Sequence, residues 1–249
     1  MVMNHFDYIR AIGSDKDEIP ADRQHHLRPD DYYTGKITGT LHTLTPIHVG
    51  TGQLMRPDDI QPQPNGYKQF SLVAPFFRGI DENGTVKRVI PGSSWRGVVR
   101  SLVETITDSG FAAALEPPRR GGVSVPSDLK DNRFSDKAQK QGNNPDFDPA
   151  SQIFGGQGYK SHVSFQDLIC DSGDAWDVLL LKDRWQPKIR SADERKIYLH
   201  LSQPEYGNEV LEICPAGVNW TFEIGFHNLT EAQVGLLLIA LGQDGKLYP

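Results

Sequence analysis

Over residues 36–44, KITGTLHTL, apolar and polar positions alternate. A period of two puts Ile37, Gly39, Leu41 and Thr43 on one face and Thr38, Thr40, His42 and Leu44 on the other, which predicts a half-buried strand. Gly39 in the middle of that run predicts a bulge or a close approach of another backbone. Pro46 ends the strand, and His48-Val49-Gly50-Thr51-Gly52 follows as a turn. Residues 69–80 and 85–90 read as the arms of a hairpin around Asp81-Glu82-Asn83-Gly84, with Asn83-Gly84 suited to the positive φ of a tight turn. Val98, Leu102, Val103 and Ile106 recur at helical spacing, so residues 95–107 predict an amphipathic helix with a serine N-cap and with Arg96 and Arg100 on one stripe. Strands are predicted at 162–169, 195–202 and 218–227, and a last helix from its N-cap Thr230 to about Leu241.

The remaining stretches divide the chain. Residues 1–35 are polar and mixed and read as an N-terminal arm; 36–249 read as one domain. Residues 116–152 are poor in apolar positions and carry Gly, Pro and both charges throughout, the mark of a long functional or disordered insertion. The order of elements predicts an α+β fold with helices on one face of an antiparallel sheet. It is compatible with a ferredoxin-like βαββαβ unit carrying large insertions. Such a unit places a strand after its second helix, whereas here QDGKLYP closes the sequence, so a fragment, half of a fused protein or a split subunit is expected.

Composition narrows the classes. No stretch approaches the roughly 18 apolar residues of a membrane span, and MVMNHFDYIR lacks the apolar region of a signal peptide. Cys170 and Cys214 are the only cysteines, too few for a disulfide framework or a four-cysteine zinc site. A cytoplasmic location is the default expectation. The formal net charge of -6 over 249 residues argues against a generic nucleic-acid binder. The charge is uneven, however: residues 84–140 carry a net +4 and residues 141–249 a net -7. The basic stretch fits either a local phosphate-binding surface or a solvated, mixed-charge loop.

Three constellations carry candidate chemistry. GGQGYKS at 155–161 lacks the Gly directly before Lys160 that a P-loop needs, because Tyr159 stands there, so nucleotide hydrolysis is rejected. What remains is a tight turn, or a glycine-rich backbone surface at Gly155 and Gly156 open to close approach by a nucleic-acid strand. PGSSWRGVVR at 91–100 joins a helix start, which favours anions, to the hydroxyls of Ser93 and Ser94 and the guanidiniums of Arg96 and Arg100. That is a phosphodiester site or an ordinary capped helix with surface arginines. Asp58 and Asp59 are adjacent carboxylates near His48, able to hold a divalent cation or supply a general base, or simply exposed loop acids. The cysteines with His162 and His200 lack zinc-ligand spacing, and no G-x-S-x-G motif supports a serine hydrolase.

Four of these segments together resemble a known family. TGTLHTLTPIHVGTG, IPGSSWRGVVRSLVE, IFGGQGYKSHVSFQDL and FEIGFHNLTEAQVGLLLIAL, in that order over about residues 36–242, resemble the RAMP superfamily of CRISPR-associated proteins. Within it the chain is most similar to the backbone subunits of type III effector complexes. The resemblance implies an RRM-like core that holds guide crRNA, stacked against other effector subunits, with a thumb-type insertion for which 116–152 is the candidate. It also implies that some members cut target RNA with a loop aspartate and a divalent metal. The matching loop here offers Asp58 and Asp59, with Asp59 favoured as catalyst and metal ligand and Mg2+ as the metal. His48, Gly50, Gly52, Ser93, Ser94, Arg96, Arg100, Gly155, Gly156 and Lys160 are the corresponding RNA-binding candidates. Two other readings stay open: a structural guide-binding subunit that cuts nothing, and a metal-free guide-processing endoribonuclease acting through a histidine such as His42 or His48.

Overall fold

The computed structural model describes residues 6–10, 19–20, 30–60, 70–107, 109, 146–147, 149–156, 160–170, 176–181, 194–198 and 209–245. In chain order the elements are β1 (Phe6–Arg10), β2 (Ile19–Pro20), β3 (Tyr33–His42), a 3-10 turn (Pro57–Asp59), β4 (Arg78–Ile80), β5 (Val86–Ile90), α1 (Gly92–Ile106), β6 (Asp146–Phe147), α2 (Pro149–Phe154), β7 (Val163–Phe165), β8 (Leu168–Ile169), β9 (Asp177–Leu181), β10 (Glu194–Tyr198), β11 (Glu209–Ile213), β12 (Asn219–Leu229) and α3 (Glu231–Ala240). The central sheet has the order β3-β12-β7, with β12 antiparallel to both neighbours. With α1 and α3, these strands form the βαββα portion of a ferredoxin-like α+β fold. Smaller antiparallel pairings are β4-β5-β8, β9 with β11, β1 with β10, and β2 with β6.

The predicted alternation of β3 is its observed one. Ile37 and Leu41 pack against the core, while Lys36, Thr38, Thr40 and His42 are exposed. Gly39 pairs with Phe222 and Gly35 with Phe226 across β12. A Cβ on Gly39 would lie 2.8 Å from Cζ of Phe222, and one on Gly35 3.3 Å from Cζ of Phe226. The close approach predicted at Gly39 is therefore that of an aromatic ring, not of a backbone. The bulge lies in β12 instead, between Phe226 and Leu229, where Asn228 takes φ 48°; Asn tolerates that left-handed conformation better than most residues.

Helix α1 lies on the core face through Trp95, Val99 and Val103, all buried, with the Trp95 ring 4.6 Å from Phe165 and 5.2 Å from Phe222. This corrects the predicted stripe: Val98 is 61% exposed, because the large indole of Trp95 claims the sheet and turns the helix accordingly. The helix also starts earlier than predicted, at Gly92, with Pro91 as N-cap and no side-chain cap bond. Ser93 and Ser94 are exposed residues of its first turn. The capping role falls to Asp167, whose Oδ1 accepts the Gly92 N–H at 2.7 Å. Helix α3 begins as predicted, with a capping box in which Thr230 and Gln233 satisfy each other's main-chain N–H groups.

Other boundaries move as well. The predicted arm contains β1 and β2, and the first strand of the domain begins at Tyr33. Most of the predicted insertion lies outside the described residues. Its end does not read as insertion: Ala150, Ser151 and Gln152 of α2 are buried against the core. In the predicted hairpin only Gly84 takes positive φ, 76°. The turn is held by Asp81, whose Oδ1 accepts the N–H groups of Asn83 and Thr85 at 2.9 and 2.8 Å. The first arm is regular only over Arg78–Ile80. Pro75 has no N–H to give a ladder, and Val73, Ala74 and Phe76 make isolated bridges to Met55, Leu211 and Gly50.

Candidate nucleic-acid interface

Helices α1 and α2 bring the predicted basic and glycine positions together. Arg96, on α1, donates through Nη2 to the carbonyl of Phe154 and, at 3.4 Å, to Oγ of Ser161. Arg100, one turn later, donates through Nη1 to the Gly155 carbonyl at 3.0 Å and through Nε to Glu104 at 2.7 Å. Among the described residues its Nη2 is buried without a hydrogen-bond partner. Burial first, and the neighbouring Arg100 second, lower the pKa of Arg96. Gly155 takes φ 76°, which ends α2 as only glycine does without strain. Gly156 and Lys160 flank the loop and are exposed.

The start of α1 is more committed than the sequence suggests. Gly92 N–H is bound by the Asp167 carboxylate, and the N–H groups of Ser94 and Trp95 both point to the Pro91 carbonyl, at 2.9 and 3.3 Å. A carboxylate already occupies the positive end of the helix. The cationic character of this region therefore rests on Arg96, Arg100 and Lys160. Next to Lys160, the rings of His162 and His227 lie 4.9 Å apart and tilted by 33°, and His162 Nδ1–H donates to the His227 carbonyl at 2.8 Å. Burial, with Lys160 adding to it, lowers the pKa of His227.

The loop after β3 forms a second cluster. His48 donates from Nδ1 to the Glu212 carbonyl at 2.7 Å, and its ring meets Phe76 edge-on at 6.1 Å. Gly50 is bridged to Phe76, and a Cβ there would lie 2.8 Å from Nε2 of His48. Gly52 takes φ 78° with open space around it. Asp58 and Asp59 then stand exposed on the 3-10 turn, which is anchored by buried Pro57 and Ile60. Neither carboxylate has a hydrogen-bond or ion-pair partner among the described residues. His42 lies on the open sheet face instead, bonded to Asn219 at 2.7 Å.

Among the described residues no group of three His, Cys, Asp or Glu side chains is placed to hold a metal ion. Asp58 and Asp59 do supply hard oxygen donors, and Mg2+ is ordinarily held by one or two carboxylates with substrate phosphates and water. The pair fits Mg2+ as an open site completed by a phosphate, not as a cage of its own.

Beneath this loop lies an ion network that the sequence did not reveal. Glu212, on β11, is fully buried and pairs with Arg88 Nε at 2.7 Å and with Arg78 Nη2 at 2.8 Å. Arg88 stacks on Trp176 at 4.3 Å, and burial lowers its pKa although Glu212 opposes the shift. Leu211, Glu212 and Ile213 are all buried. A strand covered on both faces loses the alternation that would mark a charged residue as inward-facing.

The ferredoxin-like arrangement of the core is that of an RRM-like fold. The chain belongs to the RAMP superfamily, whose sequence model matches residues 40–243. No curated protein matches it. A solved structure titled "Type IV-B CRISPR Complex" is similar at 18% identity and a TM-score of 0.41, over 84% of this chain and 80% of that one. Among the described residues no helix is long and apolar enough to cross a membrane.

Proposed function

We propose that this chain is a guide-RNA-binding backbone subunit of a CRISPR RNA-guided effector complex, of the type III kind that its motifs resemble. The observation that carries the reading is the Arg96–Arg100 pair bound to the glycine loop's carbonyls, beside exposed Gly156 and Lys160. The open face of the central sheet supports the same reading. It presents Lys36, Thr38, Thr40, His42, Asn219 and Thr221, all exposed, with Lys36 paired to Glu223, and no Phe, Tyr or Trp among its described residues. Such a polar face suits hydrogen bonds to sugar and phosphate. Sequence recognition is then delegated to pairing between guide and target, and target RNA and other effector subunits are the further partners.

The test is the salt dependence of binding to a single-stranded RNA, followed by fluorescence anisotropy. Lys160 is exposed, so Lys160→Ala removes charge without disturbing the fold. The slope of log K against log salt is expected to fall by roughly 0.7, the share of one phosphate contact on a single strand. An unchanged slope, or no binding by the wild type at low salt, contradicts the reading.

A second reading, cleavage of target RNA, is favoured by the outward presentation of Asp58 and Asp59 on an anchored turn. Asp59, with Asp58, would hold Mg2+ against the RNA backbone. When bound, such an ion neutralises charge that develops on a phosphate. Asp59→Ala is expected to abolish cutting of a labelled target by the assembled complex while leaving assembly intact. Cutting that survives either the substitution or EDTA rules this reading out.

A further inference from the structure

Glu212 bonds to both sides of the His48–Gly52 turn. Its main-chain carbonyl accepts the Nδ1–H of His48 at 2.7 Å. Its carboxylate accepts the main-chain N–H of Phe76 at 2.8 Å, and Phe76 is the residue bridged to Gly50. The next residue, Phe77, donates its N–H to the Val49 carbonyl at 2.7 Å. The carboxylate is itself fixed: Arg78 Nη2 lies 2.8 Å from each of its oxygens, and Arg88 Nε lies 2.7 Å from Oε1. Arg78 also donates from Nη1 to the Phe76 carbonyl at 2.7 Å, so both main-chain groups of Phe76 are tied into the network.

Stability alone does not account for this arrangement. A buried Arg–Glu–Arg trio is often no better, and frequently worse, than apolar residues of the same volume. Apolar side chains would leave the main-chain carbonyl that His48 meets, but they could not accept the Phe76 N–H or anchor that carbonyl in place. We propose that Glu212 is a positioning residue for the turn: its anchored carboxylate sets Phe76 opposite Gly50 and fixes the place of its own main-chain carbonyl, which holds His48 as the Nδ1–H tautomer, so that the turn meets RNA in one conformation. Its last clause rests on the RNA-binding reading above.

Two variants of the full chain test it. Glu212→Gln keeps the shape and an acceptor for Phe76 but removes the charge that grips both arginines. Arg78→Lys keeps the charge and removes the two-pronged grip, and serves where the first variant does not fold. Without RNA, nitrogen NMR reads the His48 tautomer and hydrogen exchange reads the Phe77 amide. Affinity for a single-stranded RNA oligonucleotide is then measured. The wild type should show the Nδ1–H tautomer alone. The variant should show mixed tautomers, exchange at Phe77 faster by about 10-fold or more, and RNA affinity weaker by about 10-fold. Val103→Ala, a core change on helix α1, provides a control destabilised to a similar melting temperature. It should keep the wild-type His48 spectrum and bind RNA within about two-fold of the wild type.

An unchanged His48 spectrum in the folded variant, or the same change in Val103→Ala, overturns the proposal. A changed spectrum with unaltered RNA affinity overturns its RNA clause. If the wild type binds no RNA, the proposed function fails instead, and the spectrum and exchange alone decide whether Glu212 positions the turn.

Discussion

Two glycines of α1 show how differently one residue type is used. A Cβ on Gly92 would lie 2.1 Å from the carbonyl oxygen of Phe165, a backbone atom that cannot swing aside. A Cβ on Gly97 meets nothing within 4 Å. Gly92→Ala is therefore expected to destabilise the fold by roughly 3 kcal/mol, the upper end of overpacking costs. Gly97→Ala should stabilise it by up to about 1 kcal/mol, the difference between Ala and Gly in an exposed helix interior. Denaturant titration of both variants checks the opposite signs. His227 supplies a pH effect at the same scale. Its folded pKa lies below its unfolded value, so the unfolded chain binds more protons as pH falls. Its contribution is intact above about pH 6.5 and is lost on acidification through the folded pKa. Melting curves should therefore fall in temperature below that pH, and less steeply in His227→Gln. An equal acid response in the two proteins would show that His227 plays no part. Burial and nearby Cys170 push the Cys214 thiol up to about 12, which keeps it protonated and unreactive in the folded protein.

At the scale of elements, the sequence was informative where one face of an element meets water. The alternation of β3 and the capping of α3 are both legible, because exposure on one side leaves a polar signature. The start of α1 was not: its cap comes from Asp167, distant in sequence, and the serines that looked like caps are exposed first-turn residues. Its buried stripe was misjudged by one position because Trp95 outweighs the aliphatic pattern. The end of the predicted insertion was misread because α2 buries Ser151 and Gln152, residues that composition alone marks as solvated. The candidate site was legible in part. Arg96, Arg100 and Gly155 do meet, but through main-chain carbonyls that no motif encodes. Arg78, Arg88 and Glu212 were missed because their partners lie 124 to 134 residues apart along the chain.

For the molecule as a whole, the uneven charge is reconciled with RNA binding by position. Arg96, Arg100 and Lys160 converge at the glycine loop, whereas on the open sheet face Glu223 is matched by Lys36 at 3.0 Å. A net negative chain can bind RNA through a local cationic site, with an affinity that falls steeply with salt. In the proposed role the subunit holds a transcript by its backbone and leaves sequence to base pairing. The most direct measurement is to purify the native assembly containing this chain at low salt and sequence whatever RNA accompanies it. The account predicts a bound population of short RNAs sharing a common repeat-derived segment, released as salt is raised. An assembly that carries no RNA, or only random cellular fragments, would contradict it.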